Sequence, residues 1–251
     1  MKRMFPVVFL FAFAFSAPAD CPDNPCQGNI TNIGECPDEG CRKSPPDPDH
    51  PYDPELNKQK NIRSDNQQSL LRSIKWIKAL PDPTNTTECG DRDELKQLGE
   101  GQKVTVVAWA LTARKGSKEK CNCELGGEPD TDNHIVLVDR NVSEPTLEKD
   151  EDRSVTAEFT PRIRLDHPNF TQAMLNHLID PNWKKNQNNA IGKLLVRVTG
   201  LVMYDSAHFF GDPLPRATNW EIHPILKFEY CSKGKSCRVN SDKGWVDFDT
   251  L

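Results

Sequence analysis

The chain has 251 residues, of which 36% are hydrophobic. That share lies below the globular average of roughly 45–50%, and the 20 prolines cluster. One modest core with a long segment outside it is therefore expected. A net charge of -5 argues against a strongly basic nucleic-acid binder. The longest apolar run, Phe5–Phe15, is too short to span a bilayer, so no transmembrane segment is expected.

Lys2 and Arg3 precede that run, and Ser16, Ala17, Pro18 and Ala19 follow it. This is the charged, apolar, small-residue order of a secretory signal peptide over 1–19, so the protein is expected to be secreted or periplasmic. Nine cysteines in an exported chain read as disulfides before metal ligands. The odd count leaves one sulfur free, lipidated or joined to another chain, with Cys21 the position for a lipid anchor. The C-x-C pair Cys121 and Cys123 reads as two adjacent structural disulfides, with Cys89 and Cys231 as candidate partners; metal or redox work is the alternative.

Residues 20–63 are rich in Pro, Asp, Asn and Cys and lack apolar periodicity, which predicts a largely irregular extension. Leu70, Leu71, Ile74 and Ile77 fall on one helical stripe ended by Pro81, predicting a helix over 65–79 and a polar connection to residue 100. From Lys103 the pattern becomes β. Residues 103–111 are apolar on both faces, as in a strand buried on both sides. Strands are also predicted at 134–139, 155–161, 194–204 and 220–230, with a helix at 170–178 after Asn169 as cap. Gly200 inside the fourth strand signals a bulge or sharp bend. The tail 232–251 is polar, with Trp245 and Phe248 as anchors.

Three strands, a helix and two strands make the order of an OB-fold barrel. The predicted fold is thus mainly β: a five-stranded OB-fold-like barrel over 101–231 with a helix between strands three and four, preceded by a Cys/Pro-rich extension. The stretches Val196–His208 and Arg216–Ile225, with Asp132–Leu137, Thr156–Arg162 and Leu56–Asn61, resemble a family of secreted bacterial proteins with no established activity. The layout also resembles the staphylococcal-nuclease form of the OB barrel. In that resemblance Asp139 would stand for a metal-binding aspartate and His134 falls near the place of an arginine, while the rest of that nuclease's Asp/Glu and Arg set is missing.

OB barrels bind ligands across strands two and three. Around that face the sequence offers His134, Glu158, His208, Glu221 and His223 as catalytic candidates. His134, His208 and His223 are the candidate ligands for Zn²⁺ or another divalent metal, which would activate water. Arg162, Arg164 and Arg216 suit anionic groups through their planar forks, and Phe209 and Phe210 suit stacking. Two functions follow as expectations: an exported OB-fold module binding an oligomeric or anionic ligand, nucleic acid or saccharide, or a metal-dependent, phosphodiesterase-like hydrolase. A disulfide-stabilised structural envelope protein is the third reading.

Overall fold

The computed structural model describes residues 21–47, 51–84, 89, 92–208, 215–232 and 236–251. The expected signal peptide and the Phe209–Phe210 pair lie outside these residues. Among them are seven strands: β1 (Leu70–Arg72), β2 (Lys103–Lys115), β3 (Asn133–Asp139), β4 (Val155–Phe159), β5 (Leu194–Tyr204), β6 (Trp220–Cys231) and β7 (Trp245–Asp247). Six short helices join them: α1 (Pro54–Lys60), α2 (Ile74–Lys78), α3 (Asp93–Leu98), α4 (Leu147–Asp150), α5 (Pro161–Arg164) and α6 (Gln172–Ile179).

Strands β2 to β6 close in the order β2-β3-β4-β6-β5, with β5 returning to β2. All neighbours are antiparallel except β4 and β6, which meet in parallel at Ala157 and Ile222. This is the OB-like barrel that the strand order predicts, with α6 in the expected interval between β4 and β5.

Strand alternation sets the two faces. Ile135 and Leu137 on β3, Val155, Ala157 and Phe159 on β4, and Val196 and Val198 on β5 join the interior core, together with Ile222 and Phe228 on β6. The long strand β2 is buried on both sides, as its composition predicts. Val104, Val106, Ala108 and Ala110 face inward, while Val107 packs with Trp245 and Leu111 with Val136 and Val138. A bulge between Ala110 and Thr112 shifts the phase so that Ala113 turns inward again. α6, capped by Thr171 rather than by the predicted Asn169, is fixed to β2 through Asn176, which bonds the Ala113 amide and carbonyl at 2.7 and 2.8 Å. Phe248 closes the core by packing edge-on to Phe228, ring centroids 4.8 Å apart.

Gly200 marks the predicted bend, where the β5–β6 register shifts. A Cβ there would lie 2.4 Å from the Pro224 carbonyl oxygen and 2.6 Å from an Ile222 methyl, so the two strands approach closely only because no side chain intervenes. Gly200→Ala is expected to lower stability by about 1–3 kcal/mol through overpacking, read from the denaturant midpoint; an unchanged midpoint would show that the seam can relax.

Three expectations need correction. The helix predicted over 65–79 is instead the short strand β1, parallel to β2, followed by α2. Ser73 caps that helix by accepting from the Trp76 amide, and Ile74 and Ile77 are buried while Leu70 and Leu71 stay exposed. The polar connection contains α3. The C-x-C does not form two disulfides: Cys123 pairs with Cys36 and Cys121 is free, while Cys21–Cys89, Cys26–Cys41 and Cys231–Cys237 complete the described set. The Cys21 sulfur is thus engaged in a bridge rather than free for a lipid.

The extension is ordered by docking. Asp53 caps α1 and its other oxygen accepts from the Cys89 amide at 2.9 Å. Ile30, Ile33, Cys36 and Cys41 form a small core with Cys123 and Leu125 of the β2–β3 loop. Gly40 has φ +68, and a Cβ there would meet the Lys120 carbonyl oxygen at 2.2 Å; the glycine lets the adjacent Cys41 amide reach that same oxygen at 3.0 Å.

Candidate metal centre

The barrel seam places the polar side chains. Ala157 and Ile222 are register partners facing the core. The next residue on each strand, Glu158 and His223, therefore turns to the outer wall. His134 is the cross-strand partner of Glu158 and shares that face, and Glu221 lies two residues before His223. Glu221 and His223 are completely buried and Glu158 nearly so.

These residues form one chain of contacts. His134 Nε2 lies 3.4 Å from Glu158 Oε1, and His223 Nδ1 lies 3.1 Å from Glu158 Oε2 and 3.2 Å from Glu221 Oε1. Arg216 spans Glu221 and Asp205 at 2.9 and 2.6 Å, and His208 Nδ1 meets Asp205 Oδ2 at 2.7 Å. The five catalytic candidates and Arg216 thus belong to one network that runs from the β3-β4-β6 wall into the segment between β5 and β6.

The three histidines do not converge on one point. His134 is half-exposed across Glu158, and His208 sits after β5, held by Asp205. The grouping with metal-ligand spacing is Asp132, Glu158 and His223, whose ligand atoms lie within 4.8 Å of one another and are all buried. A second grouping of the same span is Glu119, Cys121 and Asp132. Asp132 Oδ1 and His223 Nε2 have no hydrogen-bond partner, while Glu158 Oε2 faces only His223 Nδ1 at 3.1 Å. Buried polar atoms are ordinarily satisfied, so two unpartnered atoms beside the Glu158 carboxylate fit a cation that takes the place of the proton on His223.

The electrostatics are strongly coupled. Burial disfavours the Glu158 charge, yet His134 and His223 hold its carboxyl well below the usual range. Burial opposes protonation of His223, but Glu158 and Glu221 push its imidazolium up to about 10. Burial, with Glu119 and Glu158 nearby, pushes the Asp132 carboxyl up to about 7. Glu221 is raised by burial, Glu158 and Asp205. The free thiol of Cys121 is pushed well up by burial and by Glu119.

The extension reaches this wall at β6. α1 brings Lys60, whose Nζ bonds Glu119 Oε2 at 2.6 Å. A cleft of about 440 Å³ remains open between the extension and the barrel, lined in part by Lys60, Ser117, Lys118, Glu119, Asp205 and His208. Glu119 both lines this cleft and belongs to the second ligand grouping, so it joins the opening to the buried cluster.

Two arginines read as ligand-binding have other work. Arg162 is buried and donates to the Cys36 and Pro37 carbonyls and to Asp38, anchoring the extension. Arg164 ties the Phe159 carbonyl to those of Glu128, Pro129 and Thr131, clamping the loop before β3. Asp139, the aspartate of the nuclease resemblance, accepts from the Asn141 amide in a turn. Lys60 and Glu119 were not singled out for the site from sequence; Cys121 was singled out only as half of the C-x-C, with metal binding as its alternative reading.

The Asp205 contact, against an opposing effect of burial, raises His208 above its ordinary value. Asp205→Asn is expected to bring the His208 titration back down, observed by NMR of the imidazole protons; an unmoved midpoint would detach the pair. Comparison with protein-family models, with curated proteins and with solved structures finds no match to this chain.

Proposed function

We propose that this protein is an exported metal-dependent hydrolase acting on an anionic ester, a phosphodiester first. The ion is held by Asp132, Glu158 and His223, and the substrate occupies the cleft beside Lys60 and His208. The observation that carries this reading is the buried trio of ligand atoms within 4.8 Å of one another, with Asp132 Oδ1 and His223 Nε2 left without partners. Three protein ligands with a further position open is the arrangement of catalytic rather than structural zinc, and an ion so held brings the pKa of bound water toward neutrality.

The remaining residues fit supporting roles. Glu221 accepts from His223 Nδ1, the carboxylate–histidine arrangement that orients metal ligands. Asp205 holds His208 through Nδ1, leaving Nε2 as the nitrogen for proton transfer in the cleft. Lys60 supplies positive charge at its floor. The disulfides support an oxidising compartment outside the cytosol, and no helix among the described residues is long and apolar enough to cross a membrane. The OB-fold binding-module reading carries less weight because Arg162 and Arg164, two of its ligand-binding residues, are taken up by backbone carbonyls.

The test is hydrolysis of bis(p-nitrophenyl) phosphate by the full chain loaded with Zn²⁺ or Mn²⁺. Turnover abolished by chelator and lowered about 10²–10⁴-fold by His208→Ala, with metal content retained, is the expected result. Absence of turnover on phosphate and carboxylate esters by the metal-loaded protein would reject the hydrolase.

A further inference from the structure

Resting on the metal reading, a second cation position lies against the first. We propose that Glu119, Cys121 and Asp132 bind a second, thiophilic divalent ion, with Asp132 as the carboxylate shared between two ions. The trio has the same close spacing as the first, with Cys121 and Asp132 buried, and Asp132 is common to both. Asp132 Oδ2 accepts from Asn122 Nδ2 at 3.1 Å, whereas Asp132 Oδ1 and Asn122 Oδ1 are buried without partners. Two orphaned oxygens beside a free thiol are acceptors in search of a cation.

The position already attracts one. Lys60 Nζ sits 2.6 Å from Glu119 Oε2, and the same oxygen receives the Cys121 thiol at 3.3 Å. The ammonium is delivered by α1, and its neighbour Asn61 pins the Cys121 carbonyl at 2.8 Å, so the extension builds half of this corner. A divalent ion entering here displaces Lys60 from Glu119 and converts the thiol to a thiolate, with the proton passing to solvent. A carboxylate shared by two ions is the usual frame of two-metal hydrolytic centres, whose ions stand roughly 3.5–4 Å apart. The thiolate selects Zn²⁺ or Co²⁺ over Mg²⁺ and Ca²⁺.

The experiment is titration of the full, disulfide-intact chain with Co²⁺, following visible d–d bands, near-ultraviolet thiolate-to-cobalt charge transfer and stoichiometry. Two ions per chain with a charge-transfer band are expected. Cys121→Ser should bind one ion without that band, its retained d–d spectrum certifying the fold and the first site. Lys60→Gln should bind two, the second about tenfold more tightly, because a competing ammonium is gone. One ion without charge transfer in the unsubstituted chain, or a band that persists in Cys121→Ser, overturns the second position and leaves the first standing. Absence of any bound Co²⁺ overturns both.

Discussion

Replacing Cys36 and Cys123 together by serine is expected to cost about 2–5 kcal/mol and to loosen the extension from the barrel. The bridge joins residues 87 apart in sequence, and long closed loops gain most in the chain-entropy account of disulfides. The loss extends beyond entropy. Arg162 is buried beneath this corner with the Cys36 and Pro37 carbonyls as acceptors; once they move, a buried guanidinium loses its partners, and such orphaned charges are costly. The Cys36 and Cys123 side chains also leave the small apolar core around Ile30 and Ile33. The variant should therefore show a lower denaturant midpoint and new proteolytic cleavage within residues 21–61, while the barrel strands stay protected. A midpoint within about 0.5 kcal/mol of the parent and an unchanged digest would mean that the extension is held independently of this bridge.

Glu158→Gln is the second large effect. The substitution keeps the shape and removes the charge that faces His134 and His223. Breaking a buried ion pair by removing one partner typically costs about 3–5 kcal/mol, because the other charge stays buried. Glu221 still faces His223 but is itself engaged with Arg216, so compensation is partial. The pH dependence carries a sign. Glu158 is held below its ordinary value of 4.5, so its contribution is present above about 4.5 and fades as pH falls toward the lowered value. His223 is raised from 6.5 to about 10, so its contribution is complete below about 6.5 and is lost as pH climbs through 10. The gap between parent and variant, measured in chelator, should then be widest between about pH 4.5 and 6.5. A gap that does not shrink below about pH 4.5 or above about pH 6.5 would mean that the charges are not coupled as drawn.

The barrel was legible because β2 to β6 carry strong, strand-type apolar patterns, and Gly200 announced the bend by interrupting one of them. Much of the site was legible for the same reason: Glu158, Glu221 and His223 are polar residues at alternate positions of otherwise apolar strands, which puts them on the outer wall. The extension's contribution beside that wall was hidden. The docking of residues 21–61 depends on Cys36 meeting Cys123, on Gly40 approaching Lys120 and on Arg162 reaching two carbonyls, and no local pattern encodes such distant contacts. Composition made the same stretch look unstructured. Lys60 and Glu119, opposite charges from distant segments, belong to no local motif that would mark them. Leu70 and Leu71 misled because a four-residue apolar stripe fits helix spacing even where two of its members remain in solvent and pair as a strand.

Isothermal titration of the chelator-stripped, full chain with Zn²⁺ tests the metal centre most directly. Binding with release of protons, weakened by two or more orders of magnitude in Asp132→Asn, short of the first ion in His223→Ala and unchanged in His134→Ala, is the predicted result. Absence of Zn²⁺ binding by the folded parent chain, or binding that Asp132→Asn and His223→Ala leave untouched, would contradict it.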